Sequence, residues 1–317
     1  MRIPGPTPAQ CARFSATLDA LAPRGRPLIL AVSGGPDSLG LLLLAAAVRH
    51  DSVIAATVDH RLREEAKHEC RRVASICHKF DVHHATLVVE VPDDARGVQA
   101  AARDMRYRAL AKYAARKDAY AVATAHHVDD QAETVLMRVA RGAGVSGLAG
   151  VRDRRPLNEA TQLIRPLLGW RRAELAAIVS AAKIEAVDDP SNRDLRYDRT
   201  RVRNLLQAGW PEPERLAAVG RHMADAEEAL AWMTDGLFAV RFADNALDVD
   251  GLPREIIRRL ALAAIRHCSP DDTVPRGDEL ARLLDRLEAG HVSTLGSLQI
   301  TPGSPWRFAT VAPHRST

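Results

Sequence analysis

Between residues 28 and 141, four short apolar runs alternate with segments of helical spacing. The first run, 28–32, is continuous, lies between Pro27 and Gly34, and reads as a buried strand. A helical pattern follows at 38–49. The alternation then repeats: strand 53–58, helix 64–80, strand 83–91, helix 98–116, strand 119–124, helix 129–141. Strands and helices at this pitch need right-handed crossovers, so the predicted class is α/β with a doubly wound parallel sheet. Ligands of such sheets sit beyond the carboxyl ends of the strands. Three polar clusters fall there: residues 33–38, Asp59 with His60, and the stretch from His126 to Asp130.

Residues 142–150 are Gly-rich and close this pattern. A fifth βα unit is expected next, with 163–166 leading into a helix at 171–183. Residues 188–197 are polar and read as an exposed loop, with helix again at 200–206. Gly209-Trp210-Pro211 marks a boundary. It separates a nucleotide-binding domain, 1–210, from a smaller, mainly helical domain, 211–317. The second domain carries helical patterns at 213–240, 254–267 and 277–288, then a strand-like tail at 292–311.

An apolar fraction of 46% and a charged fraction of 26% are those of an ordinary globular protein. A net charge of +4 suits a polyanionic partner without requiring one. The four cysteines, Cys11, Cys70, Cys77 and Cys268, form no C-x-x-C, which removes the usual mark of zinc ribbons, thioredoxin chemistry and iron–sulfur ligation. Scattered cysteines fit a reducing compartment. Residues 1–10 contain no apolar signal region, and the longest apolar stretch, 39–48, is too short for a bilayer. A cytoplasmic protein with no membrane partner is expected.

Ser33-Gly34-Gly35-Pro36-Asp37-Ser38 follows a strand and opens a helix. A helix N-terminus offers unpaired N–H groups and partial positive charge to phosphate oxygens. The glycines let backbone approach an anion, and the serines can donate hydroxyls. Asp37 beside phosphates makes sense with a Mg²⁺ between them. The hexamer is neither G-x-x-x-x-G-K-[ST] nor G-x-G-x-x-G. The plainer alternative is a tight strand–helix turn capped by Ser38.

Four further clusters carry chemistry. Asp130 and Glu133 share one helix face and could bind Mg²⁺ or an ammonium, just beyond the paired His126 and His127. Alternatively, Asp129 is a cap and Glu133 an exposed first-turn residue. Asp59 and His60 could meet a nucleotide's sugar or base, or simply form a βα turn. Arg103 and Arg106, one turn apart, can hold a phosphate or an adenylate, or line a solvated basic face. Five arginines within 193–203, including Arg199, Arg201 and Arg203, accompany Asn192 and Tyr197 and suggest an RNA-backbone patch with a stacking platform.

The hexamer resembles the signature of the PP-loop, or N-type ATP pyrophosphatase, superfamily, whose catalytic domain is Rossmann-like. The ordered set S-G-G-P-D-S, V-D-H-R-L-R, A-A-A-R-D-M-R-Y, A-H-H-V-D-D-Q-A-E-T, R-G-A-G-V-S-G-L-A-G, R-P-L-L and D-P-S-N-R-D-L-R-Y-D-R-T-R-V-R resembles the tRNA(Ile)-lysidine synthetases over about residues 28–206. The related 2-thiocytidine enzymes share the first and fourth motifs but carry C-x-x-C pairs. The resemblance implies a ligase that uses ATP and Mg²⁺ to adenylate the wobble cytidine in the CAU anticodon of tRNA(Ile). L-lysine then displaces AMP. It implies that residues 33–38 hold pyrophosphate, with Asp59 and His60 near the nucleotide and Asp37 placing Mg²⁺. Arg106 with Arg103 would stabilise charge at the α-phosphate, and Asp130 with Glu133 would hold lysine or take its proton. His126, His127, Asn192, Tyr197, Arg199, Arg201 and Arg203 would meet substrate. The helices beyond Pro211 would grip tRNA, and a homodimer is compatible with the pattern. A different PP-loop reaction, thiolation or small-molecule amidation, is the alternative. Two positions depart from the family pattern: Arg61 stands where glycine is usual, and Thr200 where asparagine is usual.

Overall fold

The computed structural model describes residues 4–61, 65–92, 97–187, 198–269, 274–275 and 277–311. The chain forms two compact units, Met1–Ala224 and Asp225–Thr317.

In the first unit the elements are α1 (Pro8–Leu21), β1 (Leu28–Ala31), α2 (Pro36–Arg49), a 3₁₀ turn (His50–Ser52), β2 (Val53–Asp59), α3 (Glu65–Lys79), β3 (His83–Val88), α4 (Val98–Arg116), β4 (Ala121–Ala123), α5 (Val128–Val139), α6 (Val145–Leu148), β5 (Arg154–Pro156), β6 (Gln162–Ile164), α7 (Arg172–Ala181) and α8 (Asp198–Gln207). The sheet order is β3-β2-β1-β4-β6-β5. Every pairing is parallel except that of β5 with β6. Leu28 of β1 lies opposite Val53 on one side and Ala121 on the other. The sequence order of the strands therefore reverses between β1 and β4, which is where an open α/β sheet opens a crevice.

The period of two along each strand sorts its residues between the two faces. Leu28, Leu30, Ala121, Ala123 and Ile164 join α1, α2 and α7 in one core. Ile29, Val122 and Leu163 join Tyr107, Leu110 and Ala114 of α4 in another. With both faces covered, the central strands are apolar at every position, hence the continuous runs in the sequence. Helix α2 is buried all round from Leu39 to Ala46 because it lies between the sheet and α1 and α7. Its close approach to α7 occurs at Gly40, where an added Cβ would stand 3.1 Å from Leu175 Cβ.

Several elements, α1 and β5 among them, differ from the sequence expectation. Helix α1 was not anticipated; Thr7 and Gln10 form its capping box, and Phe14, Leu18 and Leu21 bury one stripe. Strand β5 precedes β6 as an antiparallel partner, and the Asn158 carboxamide closes the turn by accepting the N–H groups of Ala160 (3.0 Å) and Thr161 (2.7 Å). All three β5 residues are exposed on the sheet edge, so no apolar pattern marks them.

The second unit contains most of α9 (Pro213–Arg241), which begins in the first, then β7 (Phe242–Ala243), β8 (Ala246–Leu247), α10 (Arg254–Cys268), α11 (Gly277–Glu288), β9 (Ser293–Leu295), β10 (Leu298–Thr301) and β11 (Trp306–Thr310). The strand-like tail supplies three strands of an antiparallel sheet ordered β7-β8-β11-β10-β9. Asp244 and Asn245, both at positive φ, make the two-residue turn between β7 and β8, the type I′ geometry that matches strand twist. Leu260, Ile265, Leu284, Ile300 and Trp306 are buried together between helices and sheet. No described helix is long and apolar enough to cross a membrane.

Replacing Gly40 by leucine forces α7 away from α2. A loss of about 1–3 kcal/mol is expected, read as a lower urea midpoint at unchanged slope. Leu175→Ala in the same chain restores part of that loss.

Candidate active site

Strand β1 ends at Ala31, and Gly35 is the N-cap of α2, with Pro36 in its first turn. Between them the chain wraps around Ser38. Its Oγ accepts the N–H groups of Ser33 and Gly34, both at 3.2 Å, and donates to the Gly35 carbonyl at 2.9 Å. Gly34 has φ +89, and a Cβ there would meet Val187 Cγ2 at 2.9 Å. A side chain at Gly34 is therefore excluded by both conformation and space. At Gly35 no protein atom lies nearer to the added Cβ than Ser33 Oγ, at 3.9 Å. The fold leaves that side open, as a site of anion approach requires. The first-turn N–H groups of α2 have no intrahelical acceptor and point the same way.

Strand β4 delivers the second wall. His127 is the N-cap of α5, completely buried, and surrounded by carboxylates. Its Nε2 lies 3.3 Å from Asp37 Oδ2 and 3.5 Å from Asp130 Oδ2, and its Nδ1 lies 3.4 Å from Asp129 Oδ2. Burial alone would push this imidazole down, but Asp129, Asp37 and Asp130 outweigh it and raise the pKa to about 9. A neutral Nδ1 would accept the Asp130 N–H at 3.4 Å. That contact is long, and three carboxylates favour the doubly protonated ring, whose Nδ1–H donates to Asp129 instead. His126, next in the chain, behaves oppositely. Burial, with Arg165, Arg103 and Arg199 nearby, outweighs Asp130 and lowers it to about 4. Its Nδ1 is 2.9 Å from Thr124 Oγ1. Asp129 is held well below the usual carboxylate range: burial opposes this, and His127, the Arg172 N–H and Arg171 prevail.

Glu133, one turn beyond Asp130, is 1% exposed. Three guanidinium groups converge on it. Arg172 Nη2 lies 3.2 Å from Oε1, Arg203 Nε 2.9 Å from Oε1, and Arg199 Nε 2.6 Å from Oε2. Arg199 also reaches Asp130 Oδ1 at 2.5 Å. Arg172 Nε stands 4.0 Å from Asp37 Oδ2. The exposed first-turn alternative for Glu133 is thereby excluded: the carboxylate anchors α7 and α8 to α5. Burial would raise its pKa, and Arg203 and Arg199 lower it instead.

These elements enclose a cavity of about 550 Å³. Of the residues singled out in the sequence, Ser33, Gly35, Pro36, Asp37, Ser38, His60, Arg103, Arg106, His126, Asp130, Arg199 and Arg203 line it. Gly34, Asp59, His127, Glu133 and Arg201 do not; Asn192 and Tyr197 lie outside the described residues. Asp59 is buried, and its Oδ1 accepts the Arg61 N–H at 2.9 Å. Arg61 sits at φ +52, so the turn keeps the left-handed conformation for which glycine is usual. Burial, then Arg106, pushes His60 down, and its Nδ1 has no hydrogen-bond partner. Arg172, Thr124 and Tyr107 also line the cavity and escaped the sequence reading. Arg172 had a signal: two arginines at a helix start oppose the helix dipole and therefore need a reason.

Asp37 Oδ1 is buried and has no hydrogen-bond partner. One spare carboxylate oxygen beside a phosphate loop fits Mg²⁺, which draws its other ligands from phosphates and water. Among the described residues, no three His, Cys, Asp or Glu side chains converge as an all-protein metal site.

The two histidines should titrate on opposite sides of 6.5 in side-chain NMR, His126 near 4 and His127 near 9. Their linkage signs also oppose. His127 contributes stability that is complete below 6.5 and lost as pH rises through 9, whereas His126 withdraws stability as pH falls from 6.5 through 4. His127→Asn should flatten the alkaline limb of a stability–pH curve and His126→Asn the acid limb. Glu133→Gln removes the anion shared by three arginines and should cost about 1–3 kcal/mol in urea unfolding, moderated because the guanidinium groups reach water.

The PP-loop domain family matches residues 10–208. A tRNA(Ile)-lysidine synthase of Novosphingobium aromaticivorans is 43% identical over 316 residues, 96% of this chain and 94% of that one. One from Zymomonas mobilis is 42% identical over 302 residues, covering 93% and 91%. Among solved structures, a U34-tRNA thiolase from Methanococcus maripaludis shares the fold, with a TM-score of 0.56 at 17% identity over 69% of this chain and 78% of that one. At 43% identity along nearly its whole length, with the PP-loop at the switch between β1 and β4, the chain belongs to the tRNA(Ile)-lysidine synthase family of PP-loop proteins.

Proposed function

We propose that this chain uses ATP to join L-lysine to C2 of the wobble cytidine in the CAU anticodon of tRNA(Ile). The products are lysidine, AMP and pyrophosphate. One observation carries the reading: the phosphate loop after β1 and the Asp130 carboxylate after β4 face one cavity, with Arg103, Arg106, Arg172, Arg199 and Arg203 around it. That arrangement supplies an anion seat and an ammonium seat within reach of one base.

In the first step the cytidine O2 attacks the α-phosphorus, an O–P bond forms, and the bond to the β-phosphate breaks. Residues 33–38 hold the departing pyrophosphate, with Asp59 and His60 beside the nucleotide. Mg²⁺ held by Asp37 and the phosphates would neutralise charge on the leaving group. Arg106 and Arg103 offset the charge that develops at the α-phosphate and on the base. The cytidine must leave its stack to enter, which an anticodon loop permits at low cost.

In the second step the lysine ε-nitrogen bonds to C2 and AMP departs with the oxygen. An amine attacks only when neutral, so its proton must pass to a nearby base. Asp130 is a carboxylate that lines the cavity beside Glu133's arginines, and Arg199 occupies it. A substrate ammonium there replaces one cation by another. Glu133 keeps Arg172 and Arg203 if Arg199 withdraws, so the exchange strands no buried charge. Glu133 thus shapes the lysine site through its arginines. His126 stays neutral at pH 7 and can approach the base, while His127 holds Asp37 and Asp130 in place from beneath. Asn192, Tyr197 and Arg201, with the helices beyond Pro211, are assigned to contacts with the tRNA.

Incubation with ATP, labelled lysine and total tRNA, followed by nucleoside analysis, should place label in lysidine with matching pyrophosphate. Asp37→Ala should reduce both at least about 100-fold, the loss typical of a key electrostatic group. Pyrophosphate released without tRNA would instead identify a small-molecule PP-loop enzyme, and label absent from tRNA would overturn the reading.

A further inference from the structure

Tyr107 of α4 lies on the face of the sheet opposite α2, with its ring packed among Leu163, Val122 and Ile29. Three guanidinium carbons surround that ring: Arg103 at 5.1 Å from its centroid, Arg155 at 5.2 Å and Arg106 at 5.6 Å. A fourth arginine, Arg165, follows β6 and lies near the tyrosine. Arg165 is 4% exposed, one of its terminal nitrogens donates to the Arg152 carbonyl, and its Nε has no partner. The strongest influences on Arg165 and Arg106, besides burial, are Tyr107 and other arginines. Cation–π contact stabilises each guanidinium only modestly and leaves its charge in place. Four like charges around one neutral ring therefore form a standing demand for an anion.

We propose that Arg155 and Arg103, backed by the buried Arg165, form a seat for an RNA phosphodiester at the edge of the cavity, separate from the phosphate loop. The inference rests on the RNA-modifying reading above. Its geometry favours a polymer over a mononucleotide. Arg103, Arg106 and Tyr107 line the cavity, whereas Arg155 does not. Arg155 stands on β5, at the sheet edge and three strands from β1, about 14 Å away at the usual spacing. A polynucleotide carries phosphates on both sides of its reacting nucleotide, and one of these meets a cluster that continues outward from the cavity wall. Arg155 reads no base here: its role is to fix the position of the backbone while the cytidine enters.

Arg155 is exposed, and its hydrogen bond to the Pro156 carbonyl is local, so Arg155→Ala should fold. The test measures tRNA affinity of the full chain across a salt series, with apparent KM values for ATP and lysine. Arg155→Ala should weaken tRNA binding about three- to tenfold and reduce the slope of log affinity against log salt by about one. The KM values for ATP and lysine should not move, and Arg155→Lys should recover most of the slope. An unchanged slope with Arg155→Ala overturns the seat. A higher KM for ATP with unchanged tRNA binding overturns it too, and assigns the cluster to the nucleotide. If the wild-type chain makes no lysidine yet its RNA binding loses the slope on substitution, the seat stands and the proposed reaction falls.

Discussion

A carboxylate removed from water is stable only when its charge is met, and Glu133 is the most deeply buried acid at this site. Three arginines meet it, one from the start of α7 and two from α8. Those helices lie about 39 to 70 residues further along the chain, so a tertiary charge cluster, and no local preference, sets where they rest against α5. The same cations extend the linkage. Arg172 also faces Asp37 at the start of α2, and Arg199 also bonds Asp130. Two helix N-termini from neighbouring strands are thereby tied together across the crevice where the strand order reverses.

The first turns of α2 and α5 bring Asp37, Asp129 and Asp130 close together, and three carboxylates at that range repel one another. The His127 imidazolium beneath them supplies the missing positive charge from a position that solvent does not reach. His126 points into the cavity among arginines and stays neutral. Twin histidines with one intrinsic pKa are thus divided by their surroundings into a structural cation and a neutral ring that faces the ligand.

Much of this was legible in the sequence where physics is local. The apolar runs marked the central strands because those are buried on both faces, and the helical spacing placed α4 at the bounds it has in the structure. The loop at residues 33–38 was readable because its glycines, proline and serines each satisfy a nearby backbone requirement. Long-range pairing was not readable. Glu133 could equally have been an exposed helix residue, since nothing adjacent announces Arg172, Arg199 and Arg203. Strand β5 is charged and at the edge, so its pairing rests on β6 and the Asn158 turn. Arg61 shows the limit from the other side. The left-handed turn after β2 survives without glycine because Asp59 holds the following backbone N–H, and the about 1–2 kcal/mol cost of the conformation is borne by the surrounding fold.

The distribution of charge around the cavity separates what the protein satisfies internally from what it leaves for ligands. On the α2 and α5 side every acid but one oxygen has a cation of the chain beside it, and that oxygen, Asp37 Oδ1, borders the phosphate loop. On the α4 and β5 side three arginines gather around one tyrosine ring. Buried or crowded charge without a partner raises the energy of the free protein and lowers the cost of binding its complement. A reaction that brings a phosphate chain, a polynucleotide and an ammonium to one base needs three such complements. Because different side chains around one cavity supply them, each can be held without displacing the others.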